Sequence, residues 1–171
     1  MLSKQYEQLV ESLAAVVWES DARTFEFTFV SQHARHLLGH PPEQWLTPRF
    51  WVEHLHDADR DRVVATRRQA VHEKRDHADE YRMIGADGEI VWVRDVVTMI
   101  SEGDGVASLR GIIEDVSQPK RQEEVLRESE SFYRLLMDSV SDFVRLHDIA
   151  GRSVYSSPSV DRLYAQSPDH L

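Results

Sequence analysis

The sequence predicts an α+β fold built on one antiparallel sheet. Two local observations lead there. The hydrophobic period runs at 2, then 3.6, then 2 again, so helices are grouped between two sets of strands. Tight-turn residues also separate the later strands closely enough to make a meander. A third observation concerns the whole chain of 171 residues. Tyr6–Asp21 (YEQLVESLAAVVWESD) aligns with Tyr133–Asp148 (YRLLMDSVSDFVRLHD) at an offset of 127. After a one-residue gap the match resumes at an offset of 126, placing Ser31 on Ser157, Leu37 on Leu163 and Pro42 on Pro168. A repeat longer than about 100 residues means tandem domains, not a solenoid. The second copy is expected to be incomplete, stopping opposite Trp45 of the first.

Each element follows from its residues. Tyr6, Leu9, Val10, Leu13, Ala14 and Val17 are spaced as the apolar stripe of a helix, with Ser3 as N-cap. Val16–Ser20 reads as a short strand and Asp21–Thr24 as a turn. Phe25, Phe27 and Phe29 alternate with Glu26 and Thr28, as in a half-buried strand. Ser31 is positioned to cap a short helix that runs to Leu38 and ends on Gly39. Pro41-Pro42 is a breaker, and Thr47-Pro48 opens another short helix carrying Phe50, Trp51 and Leu55. Asp57–Glu73 is a longer helix with an acidic start that suits the helix dipole. Its apolar stripe is Val63, Val64, Ala70 and Val71. Glu80–Ile84, Ile90–Ile100 and Val106–Val116 are strands, joined by turns at Asp87-Gly88 and Glu102–Gly105. Ser117 caps a polar helix in which Leu126, Ser129, Tyr133, Leu136 and Val140 alternate at spacings of 3 and 4, as in a short coiled-coil seam.

Composition removes several function classes. Hydrophobic residues make up 41% and charged residues 29%, the balance of a folded chain. A net charge of −10 argues against nucleic acid and against anionic lipid. Cysteine is absent, which excludes disulfides, thiolate nucleophiles, Cys-ligated metals and a cysteinyl–flavin adduct. No stretch of 18 apolar residues occurs, and the N-terminus lacks a signal-peptide pattern, so a cytoplasmic chain with no membrane contact is expected.

At this point the residues resemble PAS sensory domains, in the subgroup with a C-terminal PAC motif. FWVEHLHDADRDRV, EYRMIGADGEIVWVRD and GIIEDVSQPKRQEEVLRESE are similar to that family's ordered motifs, and FTFVSQHARHLLGH to its early strand–helix pattern. The resemblance covers residues 6–132, and the second copy starts the pattern again. HDAD where the family has HPDD, and Val-Ser where it has Ile-Thr, are departures. The resemblance implies a five-stranded antiparallel sheet with helices on one face, enclosing a small-molecule or hydrophobic cavity. It also implies a long linker helix and a truncated second unit. The expected division is an N-terminal helix over 1–15, a PAS domain over 16–117, a linker helix over 118–140 and a partial second domain over 141–171. Such domains sit in sensor histidine kinases, diguanylate cyclases or phosphodiesterases, so an output domain is expected in the parent chain. A homodimer through the N-terminal and linker helices, centred on Leu126, Tyr133 and Leu136, is expected too.

Each candidate site residue also has a plain reading as core packing. Trp51, Leu55, Val63 and Arg67 line helical faces that must cover the sheet; Tyr81 and Met83 share a strand face, and Trp92 lies across the hairpin. Together they are the expected ligand pocket. Arg67 is the informative member, since a cation among apolar residues would suit an anionic ligand or snorkel to water. Asp115 and Ser117 stand at the strand-to-helix junction, where the family places signal relay. His33 and His36 lie at i, i+3 with His40 beyond, but no acidic ligand is in register, and no metal site is expected. The long helix carries only His72, near its end, so haem has no support, and noncovalent flavin has no positive signal. No catalytic triad or phosphate-binding glycine loop stands in a recognisable motif. The chain is expected to be a sensor rather than an enzyme; a protein–protein interaction module with a filled core is the alternative.

Overall fold

The structure is a computed structural model that describes residue 10 and residues 13–103, 105–139 and 145–156. Ser3, Asp104, Val140 and residues 157–171, on which several expectations rest, lie outside the described residues, as does most of the predicted N-terminal helix. Two compact units divide the chain, residues 1–120 and residues 121–171.

In the first unit the order is β1 (Val16–Asp21), β2 (Phe27–Val30), α1 (Ala34–Leu38), α2 (Pro42–Trp45), α3 (Phe50–Glu53), α4 (Asp57–Glu73), β3 (His77–Ile84), β4 (Ile90–Glu102) and β5 (Gly105–Asp115). α5 (Ser117–Ser139) follows. The five strands form one sheet in the order β2-β1-β5-β4-β3, with every neighbouring pair antiparallel. Period-2 alternation gives it two unlike faces. Val16 and Trp18 of β1, Tyr81 and Met83 of β3, Val93 and Val97 of β4, and Leu109 and Ile113 of β5 are buried beneath the helices. Val96 of β4 and Ile112 of β5 point the other way and are exposed.

Several local expectations are corrected. Phe29 is not buried with Phe27 but 48% exposed. Ser20 pairs with Phe27 and Glu19 with Phe29, so Thr28 is an extra residue in β2 and resets the alternation. Phe25 lies outside the strand, at φ 61, yet it is buried. The Ser31 hydroxyl caps no helix; it accepts the Val17 amide at 3.0 Å and ties β1 to the start of α1. Pro42, expected to break structure, occupies the first turn of α2. Leu13–Ala15 form a bend ahead of β1. Gly39 does terminate α1 in the left-handed region, at φ 74.

Residues 54–56 run along the outer edge of β3. His56 N–H donates to Arg82 O, Ile84 N–H donates to His54 O, and Leu55 bridges Met83. This edge contact fixes where α4 begins, and therefore which of its residues face the sheet. The buried stripe of α4 is Asp59, Val63, Arg67 and Ala70, not the wholly apolar set that hydrophobicity suggests.

The second unit contains a hairpin, β6 (Arg145–His147) with β7 (Ser153–Ser156). It repeats the β1–β2 register pair for pair. Arg145 pairs with Ser156, Leu146 with Tyr155 and His147 with Ser153, the positions of Trp18–Val30, Glu19–Phe29 and Ser20–Phe27 shifted by the two offsets. The irregularity falls at the same step, and Gly151 takes the positive φ of Phe25. Asp148 accepts the Ala150 and Arg152 amides, and Asp21, at the corresponding position, accepts those of Arg23 and Thr24, so each turn is held by its aspartate with one of the two bonds in the same place. These turn amides hold both carboxyls below the usual carboxylate range.

Gly111 sits where β5 passes under Trp18, and a Cβ there would lie 2.5 Å from the indole and 2.6 Å from Val96 O. Gly111→Ala is expected to destabilise the domain by about 1–3 kcal/mol through overpacking. Gly88→Ala meets no atom within 4 Å but strains a φ of +82, and should cost less. Urea denaturation of both variants checks the ranking.

Candidate functional site

The buried stripe of α4 meets the inner face of the sheet in one polar cluster. Arg67 is 2% exposed and pairs with the carboxylate of Asp95, itself 1% exposed, on β4. Tyr81 O–H donates to Asp95 Oδ2 at 2.8 Å, and Trp18 Nε1–H donates to Asp95 Oδ1 at 3.0 Å. Trp51 Nε1–H donates to Tyr81 Oη at 3.1 Å. The Arg67 guanidinium lies 3.7 Å over the Trp51 ring and 5.1 Å from the Trp18 ring. Three donors thus compensate the Asp95 carboxylate, and two aromatic faces help compensate the cation. The Nε and Nη1 groups of Arg67 have no hydrogen-bond partner among the described residues. Burial, reinforced by the Asp95 charge, pushes the Tyr81 phenol well above its ordinary value, so it is a donor at neutral pH. His77, at the start of β3, is pushed down by burial and then by the charge of Arg67.

Six of the seven expected pocket residues line this inner face. Trp51, Leu55, Val63, Arg67, Tyr81 and Met83 are all at most 2% exposed. Val63 and Arg67 come from one face of α4, Tyr81 and Met83 from one face of β3, and Trp51 from α3. The structure does not bring Trp92 to them. It pairs with Arg82 in register and projects from the opposite face of the sheet. Its ring lies 5.3 Å from the Arg82 guanidinium and 5.3 Å from the Lys120 ammonium. Arg67 does not snorkel to water, and the carboxylate it meets is supplied from within the chain. Asp95 and Trp18 are the members that pattern reading missed. The available signal was an acid at the inward position of the alternation Val93-Arg94-Asp95-Val96-Val97.

A second ion pair fixes the start of α4. Arg82 Nε–H and Nη2–H donate to the two oxygens of Asp59, each at 2.8 Å, and the Arg82 amide donates to Oδ2 at 3.0 Å. These bonds hold the Asp59 carboxyl down to about 2.

The junction of β5 and α5 departs from the expected capping. Ser117 N–H donates to Asp115 Oδ1 at 2.7 Å, so Asp115 takes the amide of the first helical residue. The Ser117 hydroxyl instead accepts the Trp92 amide at 2.9 Å, and Val116 N–H donates to Trp92 O at 2.8 Å. The first turn of α5 is therefore bonded to β4. Lys120, one turn on, pairs with Glu80 of β3 at 2.7 Å. Farther along α5, Leu126, Tyr133 and Leu136 of the expected seam are exposed, together with Val125, Phe132 and Leu135.

His33 and His36 have ring centroids 5.3 Å apart. Among the described residues no group of three or more His, Cys, Asp or Glu is arranged to hold a metal ion, and no helix is long and apolar enough to cross a membrane.

A five-stranded antiparallel sheet in the order 2-1-5-4-3, with short helices and one long helix packed over a single face, defines a sensory-domain architecture. The family model described as the PAS fold matches residues 27–113, just over half of the chain, and the chain belongs to that family. It is 25% identical over 159 residues to the sensor protein FixL of Bradyrhizobium diazoefficiens, covering 92% of this chain but only 31% of that protein. The N-terminal domain of a diguanylate cyclase with a PAS/PAC sensor from Marinobacter aquaeolei is 30% identical, with a TM-score of 0.58. That match covers 62% of this chain and 98% of the solved one. A sensory box histidine kinase/response regulator from Burkholderia thailandensis shares the fold at 24% identity, with a TM-score of 0.63, over 76% of this chain and 98% of that one.

Two outcomes test the site. Arg67→Met leaves the Asp95 charge buried without its counter-ion and should lower the unfolding free energy by about 3–5 kcal/mol. Arg67→Met combined with Asp95→Leu should recover part of that loss in a urea titration. Asp59 supplies a pH signature. Its folded pKa lies below the ordinary 3.8, so its contribution is fully present at neutral pH and is lost as the pH falls towards about 2. Asp59→Asn should flatten the acid limb of the stability curve between about pH 5 and 2, which thermal melts across that range will show.

Proposed function

We propose that this chain is a sensory input and dimerisation module of a longer cytoplasmic signalling protein. A small ligand or a protein partner acts at the inner face of the sheet, and the change leaves through α5. A kinase or cyclase output domain follows in the parent chain, and this segment itself carries no catalysis. Residues 16–117 form the sensing domain, 118–140 the linker helix, and 141–171 begin a second PAS domain. The matched registers of the β1–β2 and β6–β7 hairpins support that last assignment.

The observation that carries the reading is the double role of β4. Asp95, at the centre of the buried cluster, and Trp92, which is bonded to Ser117 through its amide, lie three residues apart on one strand. A displacement of Asp95 therefore moves the same strand that holds the first turn of α5. Asp115 and Ser117 are the relay residues. A ligand shifts the equilibrium only so far as it binds one arrangement of the cluster more tightly than the other.

A second reading has a specific observation in its favour. Asp95 neutralises Arg67 internally, and the six inward residues are packed against one another, as expected of an interaction module with a filled core. Native mass spectrometry of the purified protein separates the two. A copurifying small molecule is expected for the sensor, and a bare polypeptide mass supports the interaction module.

Asp115→Ala is expected to leave the domain folded by circular dichroism while accelerating amide exchange at Ser117 and Lys120. Loss of folding would reduce Asp115 to a scaffold residue. Leu126→Glu with Leu136→Glu should halve the mass seen by light scattering if α5 joins two copies.

A further inference from the structure

The inner face of the sheet carries one more titratable group beside the Arg67–Asp95 cluster. On β3 the inward positions are His77, Asp79, Tyr81 and Met83, and on β4 they are Val93, Asp95 and Val97. His77 pairs with Val97 and Asp79 with Asp95, so His77 stands diagonal to Asp95 on the face that α4 covers. Diagonal neighbours on one face are within reach of a long or aromatic side chain. The Nδ1 atom of His77 is buried and has no hydrogen-bond partner among the described residues, while the residue as a whole is only half-buried. The ring can therefore exchange protons with solvent although Arg67 and Asp95 are shut away.

Four charges act on this ring. Arg67 of α4 and Arg75, just after α4, oppose a positive charge there; Asp95 of β4 and Asp79 of β3 favour one. Both acids are already committed. Asp79 accepts Arg62 Nη1–H on its two oxygens, at 2.7 and 3.0 Å. Asp95 is shared among Arg67, Tyr81 and Trp18. Arg75 is in turn paired with Glu73, which leaves Arg67 as the cation that the ring meets. Burial opposes the charge more strongly than any of the four. The neutral ring is thus the form that fits the folded cluster.

We propose that His77 is a proton switch on the Arg67–Asp95 pair: protonation sets a second cation against Arg67 and loosens its hold on Asp95. The imidazolium carries a proton on both ring nitrogens, so Nδ1–H becomes a buried donor without an acceptor, beside a like charge. Arg67 is the side that yields. It bonds Asp95 through Nη2 alone, and its Nε and Nη1 have no partners among the described residues. Asp59 does not yield over the same range, because its carboxyl is held down to about 2 and stays ionised on Arg82. The start of α4 therefore stays pinned while its second half, from Arg67 to Glu73, parts from β3. Because folding holds the ring neutral, the unfolded chain takes the proton first, and stability falls as the pH drops through the histidine range. As a stimulus for the inner face, the proton rests on the sensor reading above.

Nuclear magnetic resonance from about pH 7.5 to about pH 5 tests the switch. The His77 ring is followed together with the Trp18 indole N–H, which donates to Asp95. Both are expected to shift with one midpoint, lower than that of an exposed histidine. Protection factors at the Trp18 indole and at the Ala70 and Val71 amides should fall several-fold across it, while the Arg82 amide, which donates to Asp59, keeps its own. His77→Gln, which cannot take the charge, should hold the protection at its neutral-pH value throughout; near-UV circular dichroism checks its fold, and if it does not fold the wild-type midpoints decide. Separate midpoints for His77 and Trp18, or a loss of protection that persists in His77→Gln, overturn the proposal. A coincident transition that leaves the Ser117 amide unmoved keeps the proton switch and counts against the relay through α5.

Discussion

A buried cation and a buried anion organise the inner face of this sheet. Arg67 and Asp95 are each almost fully enclosed, and neither charge could remain there alone. The pair determines much else. Asp95 draws in the Tyr81 hydroxyl and the Trp18 indole, and Tyr81 in turn holds Trp51. Four elements, β1, α3, β3 and β4, are thus oriented by one carboxylate, directly or through Tyr81, and α4 is oriented by the guanidinium that neutralises it. Hydrophobic burial would press these elements together in many arrangements. The pair selects among them, because only one register of α4 places Arg67 over Asp95.

The second ion pair does for the end of α4 what the first does for its middle. Asp59 and Arg67 lie eight residues apart on one helical stripe, and each is met by a charge from the sheet. With both pairs formed, α4 cannot slide or rotate on the sheet without separating opposite charges. That rigidity suits a sensor. A helix held by two discrete pairs has few alternative positions, and a stimulus that breaks one of them produces a definite displacement rather than a graded drift. The other face of β4 is joined to α5, since Trp92 contacts Lys120 and bonds to the residues that open that helix.

Much of the fold was legible because it depends on local pattern. Asp57–Glu73 was bounded as found, because its acidic start, helical period and polar end all lie within the segment. The meander could be read because Asp87-Gly88 and the alternation around it dictate a hairpin. Where local reading failed, a distant partner intervened. Phe29 turned outward because a bulge against β1 reset the pleat. Local pattern makes Ser31 and Ser117 helix caps, yet their hydroxyls serve the amides of Val17 and Trp92. Its position across a hairpin groups Trp92 with the pocket, but strand pairing puts it on the opposite face from Tyr81 and Met83.

By itself the sequence determined the α+β class, the order of the elements and the repeat. Those follow from the period of the hydrophobic pattern and from turn chemistry, which act over a few residues. It also placed Trp51, Val63, Arg67, Tyr81 and Met83 inward, since a helix stripe and a strand pleat are periodic, but not Asp59, whose burial depends on Arg82. Only the tertiary structure decided what Arg67 is for. Its counter-ion lies 28 residues away on another element. A charge in an apolar stripe announces that a partner must exist, because its burial alone would cost too much, but the period of the stripe contains no term for where that partner stands. Long-range strand register supplies the position, and it puts Asp95, rather than solvent, against the guanidinium.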